Sequence, residues 1–218
     1  MILELPEELQ KLILSFFSRK EYKATVPCKA LLLCKSYLYS EDYCKLNSIP
    51  IVNLSSREKE KLFNDSCKYN NLRLVKWLLT QVNPSADNND AIREASREGH
   101  KEIVEILLRD PRVDPSANNN WAIRLASENG HKEVVELLLM DKRVDPSDWD
   151  NYAIYWASEK GLKEIVEILL RDFRVDPSVN DNEAIRRAIK NKHYEIVQMI
   201  LNHPKCNLPF KFTYCLRE

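Results

Sequence analysis

The sequence predicts an all-α protein, in which a helical solenoid of about five helix pairs follows a small helical module. Three observations lead to this prediction. Five columns of residues recur with a 31-residue step, each repeat unit has the apolar spacing of two short helices, and every glycine of the chain lies in one column. Units of this length cannot bury their apolar faces alone, so they stack and share a core.

The repeat is visible as columns of identical residues that span four units. Proline, isoleucine, alanine, glutamate and valine each hold one such column, and the proline column contains Pro84, Pro115, Pro146 and Pro177. A weaker copy lies upstream, with Phe63 in the isoleucine column, and its outgoing loop is shorter. We therefore predict repeats over residues 59–203, divided as 59–83, 84–114, 115–145, 146–176 and 177–203.

Within the second unit, the apolar spacing predicts two short helices. Residues 90–98 carry Ile92 and Ala95 at i, i+3, which gives the first helix one narrow apolar edge. The second helix, over residues 101–109, has an apolar face at i, i+1, i+4 and i+5, formed by Ile103, Val104, Leu107 and Leu108.

A residue in left-handed conformation is expected between the two helices of each unit. Gly99, Gly130 and Gly161 fill this slot, and glycine has no Cβ penalty there. Asn70 takes the slot in the first unit and Lys192 in the last, where a departure is tolerable because a terminal unit has one neighbour.

The loop after the second helix reads Arg-Val-Asp-Pro-Ser three times, beginning at Arg112, Arg143 and Arg174. Proline and the Asp/Asn-rich tract that follows it end the helix and favour turns.

The segment from Trp121 to Leu139 reads WAIRLASENGHKEVVELLL and resembles the ankyrin repeat, whose pattern is TPLHxAAxxGHxEIVxLLL. The resemblance implies a stack whose variable first-helix positions line a concave surface for a protein partner. This unit lacks the TPLH form and is about two residues shorter in its loop, so we expect the β-finger between repeats to be stunted or absent. Units of 31 residues also resemble those of large DNA viruses of amoebae and of some protists.

An amphipathic helix is predicted near the N-terminus, where Leu5, Leu9 and Ile13 follow an i, i+4, i+8 spacing. Residues 5–22 resemble the opening of an F-box, a helical module that docks on the Skp-type adaptor of a cullin–RING ubiquitin ligase. The resemblance implies that Leu5, Pro6, Leu9, Ile13 and Phe17 contact the adaptor. The alternative is a helical cap that shields the first repeat unit, and both interpretations need a hydrophobic face.

These patterns divide the chain into four parts. Residues 1–46 form the F-box-like module, 47–58 a linker, 59–203 the repeats and 204–218 a C-terminal tail. Ser55 and Glu58 at the end of the linker have the spacing of a capping box.

Candidate binding residues occupy the columns that differ between units, because identical columns must serve the scaffold. The variable first-helix positions and the loop before them hold large side chains in the middle units. Our candidate partner-binding residues are Trp121, Leu125, Trp149, Tyr152, Tyr155, Trp156 and Arg187. Tryptophan and tyrosine dominate binding hot spots. The alternative is that some of these rings fill space left by the shortened loop.

Recurring polar residues are interpreted as parts of the scaffold. Arg93, Arg124 and Arg186 share one column, which predicts bonds to loop carbonyls or acidic neighbours, and His100 and His131 both follow a glycine. We find no nucleophile elbow, phosphate-binding loop or zinc motif, and therefore predict no enzyme activity, cofactor or metal.

Charge and cysteine content suggest where the protein works. Lysine plus arginine and aspartate plus glutamate both total 33, so no overall charge favours nucleic acid or a membrane surface. Six cysteines without CxxC spacing, and an acidic N-terminus unlike a secretory signal, indicate a reduced chain in the cytoplasm, or the host-cell cytoplasm for a viral protein.

The sequence thus predicts a non-catalytic protein–protein interaction adaptor. On the F-box interpretation it is the substrate receptor of an SCF-type ubiquitin ligase, with the repeats binding the target. The alternative is a plain scaffold or sequestering protein whose N-terminal helices only cap the stack.

Overall fold

The computed structural model describes residues 55–206, which form ten α-helices and no β-strand. The F-box-like segment and most of the predicted linker lie outside this range. The helices are α1 (Ser56–Lys68), α2 (Leu72–Leu78), α3 (Ala86–Arg97), α4 (Lys101–Leu108), α5 (Ala117–Glu128), α6 (Lys132–Leu139), α7 (Asp148–Glu159), α8 (Lys163–Leu170), α9 (Val179–Lys190) and α10 (Tyr194–Leu201). None of them combines the length and hydrophobicity needed to cross a bilayer.

The ten helices form two layers of a stack. Each odd-numbered helix packs against the next odd-numbered one, each even-numbered helix packs against the next even-numbered one, and the two helices of a pair contact each other. The predicted all-α solenoid of five helix pairs is therefore confirmed.

The apolar face predicted for each unit forms the core. In the second unit Ile92 and Ala95 of α3 and Ile103, Val104 and Leu107 of α4 are fully buried, and the corresponding residues of the other units are buried as well. Burying one such leucine or isoleucine contributes roughly 1.5–3 kcal/mol, so the interfaces between units hold the stack together.

The described stack begins with the predicted capping box. The Ser55 backbone N–H donates to Glu58 Oε2 at 2.9 Å, and the Glu58 N–H donates to Ser55 Oγ at 3.4 Å. These bonds satisfy two N–H groups that the first turn of α1 would leave unpaired. Because α1 begins at Ser56, residues 56–58 are helical and do not belong to the predicted linker.

The slot between the paired helices is left-handed in every unit. Gly99, Gly130 and Gly161 have φ of 78°, 83° and 75°, while Asn70 and Lys192 adopt 58° and 62°. The conformation expected from the glycine column is thus confirmed, including at the two positions without glycine.

The histidine that directly follows this slot connects the second, third and fifth units to the preceding one. His100, His131 and His193 each donate through Nε2 to a carbonyl at the C-terminal end of the preceding unit's first helix, at 2.8–3.0 Å. The structural role predicted for His100 and His131 is confirmed. His193 belongs to the same column, and Leu162 interrupts the column in the fourth unit.

Each first helix from the second unit onward opens with a left-handed turn of three residues. All twelve residues have φ of 52–61°, and eleven of the twelve are Asn or Asp, the side chains that tolerate this conformation best after glycine. The three-residue turns are 87–89, 118–120, 149–151 and 180–182. The exception is Trp149. The tract that predicted an end to the helix therefore encodes a specific turn, and no strand forms between these units.

The last asparagine of the turn joins consecutive loops. The Asn120 side chain is buried, and its Oδ1 accepts the backbone N–H of Asp145 at 2.8 Å. Asn89 and Asn151 make the same bond to the residue 25 positions onward, at 2.7 and 2.8 Å. Each loop is thereby fixed to the next.

The arginines of the repeated loop make a second connection between units. Arg112, Arg143 and Arg174 each donate through Nη1 to a valine carbonyl of the preceding loop at 2.7–3.0 Å. Lys205 takes this place after the last pair, where its Nζ donates to Val175 O at 3.3 Å. The loop pattern therefore continues into the segment predicted to be a C-terminal tail.

Carboxylates paired with these arginines make the stack sensitive to acid. Hydrogen bonds from the arginine of the same loop hold the pKa of Asp110, Asp141 and Asp172 below the usual value. A pKa lower in the folded than in the unfolded state contributes stability that is present above about pH 4 and is lost as pH falls through the folded pKa.

We expect the variant Asp110→Asn/Asp141→Asn/Asp172→Asn to lose less unfolding free energy than the parent between about pH 5 and pH 2.5, measured by urea titration. An equal loss in both proteins would contradict this assignment.

Candidate functional site

Four aromatic side chains of the fourth unit contact one another on α7, including the left-handed turn that opens it. The Trp149 and Tyr152 ring centroids are 4.9 Å apart, and Tyr152 lies 5.8 Å from Tyr155 and 5.7 Å from Trp156. Tyr155 and Trp156 meet edge to face at 5.1 Å. These spacings are those of favourable aromatic pairs. With Trp121 of the preceding unit, these residues are called the aromatic cluster below.

Arg124 connects Trp121 to the other rings. Its guanidinium carbon lies 4.0 Å from the Trp149 centroid, 4.6 Å from Tyr152 and 5.6 Å from Trp121. Only 6% of Arg124 is exposed, whereas Trp121 and Trp149 are 39% and 53% exposed. Burial lowers the pKa of Arg124, and Tyr152 and the carboxylates of Asp148 and Glu128 oppose that shift. An arginine remains charged under such conditions, so the rings are ordered around a buried cation.

The arginine column has the predicted scaffold role. Arg93, Arg124 and Arg186 each donate to a backbone carbonyl of the left-handed turn of their own unit at 3.0–3.1 Å. In the fourth unit the column holds Tyr155, so the turn beside the aromatic cluster lacks this bond. The guanidinium of Arg187 lies over the Tyr155 ring at 4.9 Å.

Two grooves flank the aromatic cluster and share Trp149 and Tyr152. The first has a volume of about 440 Å³ and is also lined by Asn118, Asn119, Trp121, Arg124, Leu125 and Glu128. The second, between α7 and α9, has a volume of about 240 Å³ and is also lined by Asp150, Asn151, Ile154, Tyr155, Trp156, Asp176, Pro177, Val179, Asn180, Glu183 and Ala184. Each is large enough for side chains of a bound partner.

The family model for ankyrin repeats (3 copies) matches residues 63–150 and 123–210. Together these matches cover more than half of the chain. The chain belongs to the ankyrin-repeat family. A search of the curated proteins found no match. The matched ankyrin region extends to residue 210, beyond the predicted end at residue 203, in agreement with the loop role of Lys205.

Six of the seven predicted partner-binding residues line the two ankyrin grooves. Trp121 and Leu125 line the first, Tyr155 and Trp156 line the second, and Trp149 and Tyr152 line both. Arg187 lines neither groove. It donates to Glu183 at 2.6 Å and to Glu159 at 3.0 Å, where it supports the Tyr155 ring from the side of α9.

Two features of the aromatic cluster are unfavourable for folding. Trp149 has φ 54° and ψ 54°, where a bulky side chain costs roughly 1–2 kcal/mol. The Trp156 Nε1–H is buried and has no hydrogen-bond partner in the described chain, a loss of roughly 1–3 kcal/mol. Strained backbone residues cluster at functional sites.

The predicted partner-binding residues did not include Arg124 or the groove carboxylates Asp150 and Glu183. Arg124 was assigned to the scaffold because it recurs in a column, and it does make the bond expected there. Its second role arises because the aromatic neighbours are present in only these two ankyrin units. The presence of Trp121, Trp149 and Tyr152 around an arginine column was the available signal.

Proposed function

We propose that this ankyrin-repeat chain is a non-catalytic adaptor that binds its target protein at the aromatic cluster. Ankyrin repeats are a protein–protein interaction module. The observation that carries the proposal is the set of five aromatic rings from two consecutive units beside two grooves, with Trp121 and Trp149 more than a third exposed.

The energetics of the aromatic cluster support a binding role over simple space filling. A ring that only filled space would favour burial and a relaxed backbone, whereas Trp149 is half exposed and left-handed. Rigid aromatic side chains lose little entropy when a partner binds, and Arg124 holds three of these rings in place before binding.

We expect Trp156→Ala to reduce target capture strongly, because truncating a hot-spot tryptophan typically costs at least about 2 kcal/mol, or roughly 30-fold in Kd. The tagged protein is used to capture partners from lysate of the cells that produce it, and bound proteins are quantified by mass spectrometry. Trp149→Asn is the second variant, since asparagine suits the left-handed turn and preserves the fold.

The matched control is Phe173→Ala, which removes an 83% exposed aromatic ring outside both grooves. It should capture the same partners as the parent. If Trp156→Ala and Trp149→Asn both remain folded by circular dichroism and capture the same partners in the same amount, the proposed function is wrong.

The lining of the grooves supports a binding role rather than catalysis. Neither groove is lined by histidine, cysteine, lysine or serine, so no Ser–His, Cys–His or Ser–Lys pair faces them. The ankyrin-repeat family is typically a non-catalytic interaction scaffold.

We also propose that residues 1–46 recruit a Skp-type adaptor, which would make the chain a substrate receptor of an SCF-type ubiquitin ligase in the cytoplasm. The support is the F-box-like sequence, which lies outside the described residues, and a cysteine pattern that suits a reducing compartment.

We expect the parent protein to bind purified Skp-type adaptor and the variant Leu9→Asp/Ile13→Asp to lose this binding, because burying a carboxylate at an apolar interface has a large desolvation cost. Trp156→Ala, as control, should retain the adaptor. Failure of the parent to bind the adaptor would favour the plain ankyrin scaffold.

A further inference from the structure

The turns that open the first helices carry negative charge only. These turns, called the loop edge below, comprise the same seven columns of four units, residues 83–89, 114–120, 145–151 and 176–182, which contain no lysine, arginine or histidine. The loop edge holds seven aspartates, namely Asp87, Asp114, Asp145, Asp148, Asp150, Asp176 and Asp181. Because the chain as a whole is neutral, the charge is distributed asymmetrically.

Most of these carboxylates already have partners within the loops. Asp114, Asp145 and Asp176 accept bonds from the serine two residues onward, and Asp148 accepts from Asn120. The carboxylates of Asp87, Asp150 and Asp181 have no hydrogen bond or ion pair within residues 55–206, and all three residues are exposed. Asp150 and Asp181 occupy the same column in the two units that form the α7–α9 groove.

Positive charge adjoins the loop edge in three of the four units. Arg93, Arg124 and Arg186 donate to turn carbonyls there. In the fourth unit Tyr155 replaces the column arginine, and the adjoining loop 145–151 holds three aspartates. The unit that contributes most of the aromatic cluster therefore has no column arginine at its turn.

The α7–α9 groove combines these carboxylates with aromatic rings. Its lining includes four rings of the aromatic cluster, three acidic side chains and no basic one. Of the acidic side chains, Glu183 pairs with Arg186 and Arg187, and Asp176 accepts from Ser178, which leaves Asp150 to meet an incoming charge. Three of these rings already have an arginine of the chain, Arg124 or Arg187, over them. The carboxylate is therefore the group that attracts a further cation, while the apolar stem of a lysine or arginine side chain packs on the rings.

We propose that the occupant of the α7–α9 groove is a lysine- or arginine-rich segment of the target protein, which runs along the loop edge past Asp150 and Asp181. This inference rests on the proposed function and names the chemistry of its partner. Anionic partners such as nucleic acid or acidic lipid headgroups are repelled by the same edge.

The test measures binding of a fluorescein-labelled peptide of alternating lysine and alanine to the full chain by fluorescence anisotropy at low salt. A peptide of alternating glutamate and alanine is the opposite-charge probe. The variant is Asp150→Asn/Asp181→Asn. The matched control is Glu133→Gln/Glu136→Gln, which removes the same charge from an exposed face of α6, where neither glutamate has an ion pair within the described residues.

We expect the lysine peptide to bind the parent and the Glu133/Glu136 control alike, and the Asp150/Asp181 variant about tenfold more weakly. Binding should weaken as salt is raised, because exposed charges are screened. Equal binding by the two variants, or glutamate-peptide binding as tight as lysine-peptide binding, would overturn the inference.

If target capture depends on Trp156 but not on Asp150 and Asp181, the inference fails while the proposed function stands. If capture is independent of Trp156 and Trp149, the function itself fails.

Discussion

Replacing Gly99 with alanine is expected to lower the unfolding free energy by about 2–4 kcal/mol, one of the largest effects of any single substitution in this stack. Gly99 has φ 78°, so any Cβ is strained there. A Cβ would also overlap Nδ1 of His131 in the next unit and lie 2.7 Å from Cγ of the same ring. The His131 ring would have to move and give up its bond to the Arg97 carbonyl. Urea unfolding followed by circular dichroism measures the change.

The same column contains the control. Gly130 has a similar φ of 83°, but its nearest neighbour to an added Cβ is Leu162 Cδ2 at 3.3 Å. Gly130→Ala should therefore cost about 1 kcal/mol, the conformational penalty alone. In a double-mutant cycle, Gly99→Ala should be less damaging in a His131→Ala background. Equal costs at Gly99 and Gly130 would show that the contact with histidine is unimportant.

Asn120→Ala is expected to destabilise the protein by about 3 kcal/mol. The Asn120 side chain accepts the Asp145 N–H at 2.8 Å and donates to Asp148 Oδ2 at 2.9 Å, so alanine removes two bonds at a buried site. Alanine is also less tolerant of the left-handed conformation, since Asn120 has φ 55°. The two lost bonds connect loops of consecutive units, so thermal and urea unfolding should both detect their removal.

Asn119→Ala separates the two causes. Asn119 has φ 58°, yet it is exposed and its side chain makes no hydrogen bond within the described residues. Its replacement should therefore cost only about 1 kcal/mol, the backbone penalty. A loss at Asn119 as large as that at Asn120 would mean that backbone strain, and not the bond between loops, dominates.

Much of the fold was predictable because the chain can be compared with itself. Ile92 and Ala95 recur at a constant step, so their burial follows from the geometry of stacked units. The left-handed state of Gly99 was also predictable, because all three glycines of the chain lie in that one column. Residue Lys192 showed that the position requires the conformation even when glycine is absent.

Other features depended on partners distant in sequence. The Asn-rich tract predicted a turn, but its three consecutive left-handed residues and the bond from Asn120 to Asp145 follow from loops placed side by side. Arg124 is the equivalent case within the candidate site. Its scaffold bond is local, whereas its position among Trp121, Trp149 and Tyr152 arises only when two units stack.

The sequence alone determined the kind of architecture, the number of helix pairs and the unit in which large aromatic side chains concentrate, because period, apolar spacing and composition are properties of the chain. Only the tertiary structure decided how those side chains act together. Stacking brings residues about one unit apart into contact, and so creates the ring cluster around Arg124, the two grooves and an acidic loop edge from side chains that are unremarkable in isolation.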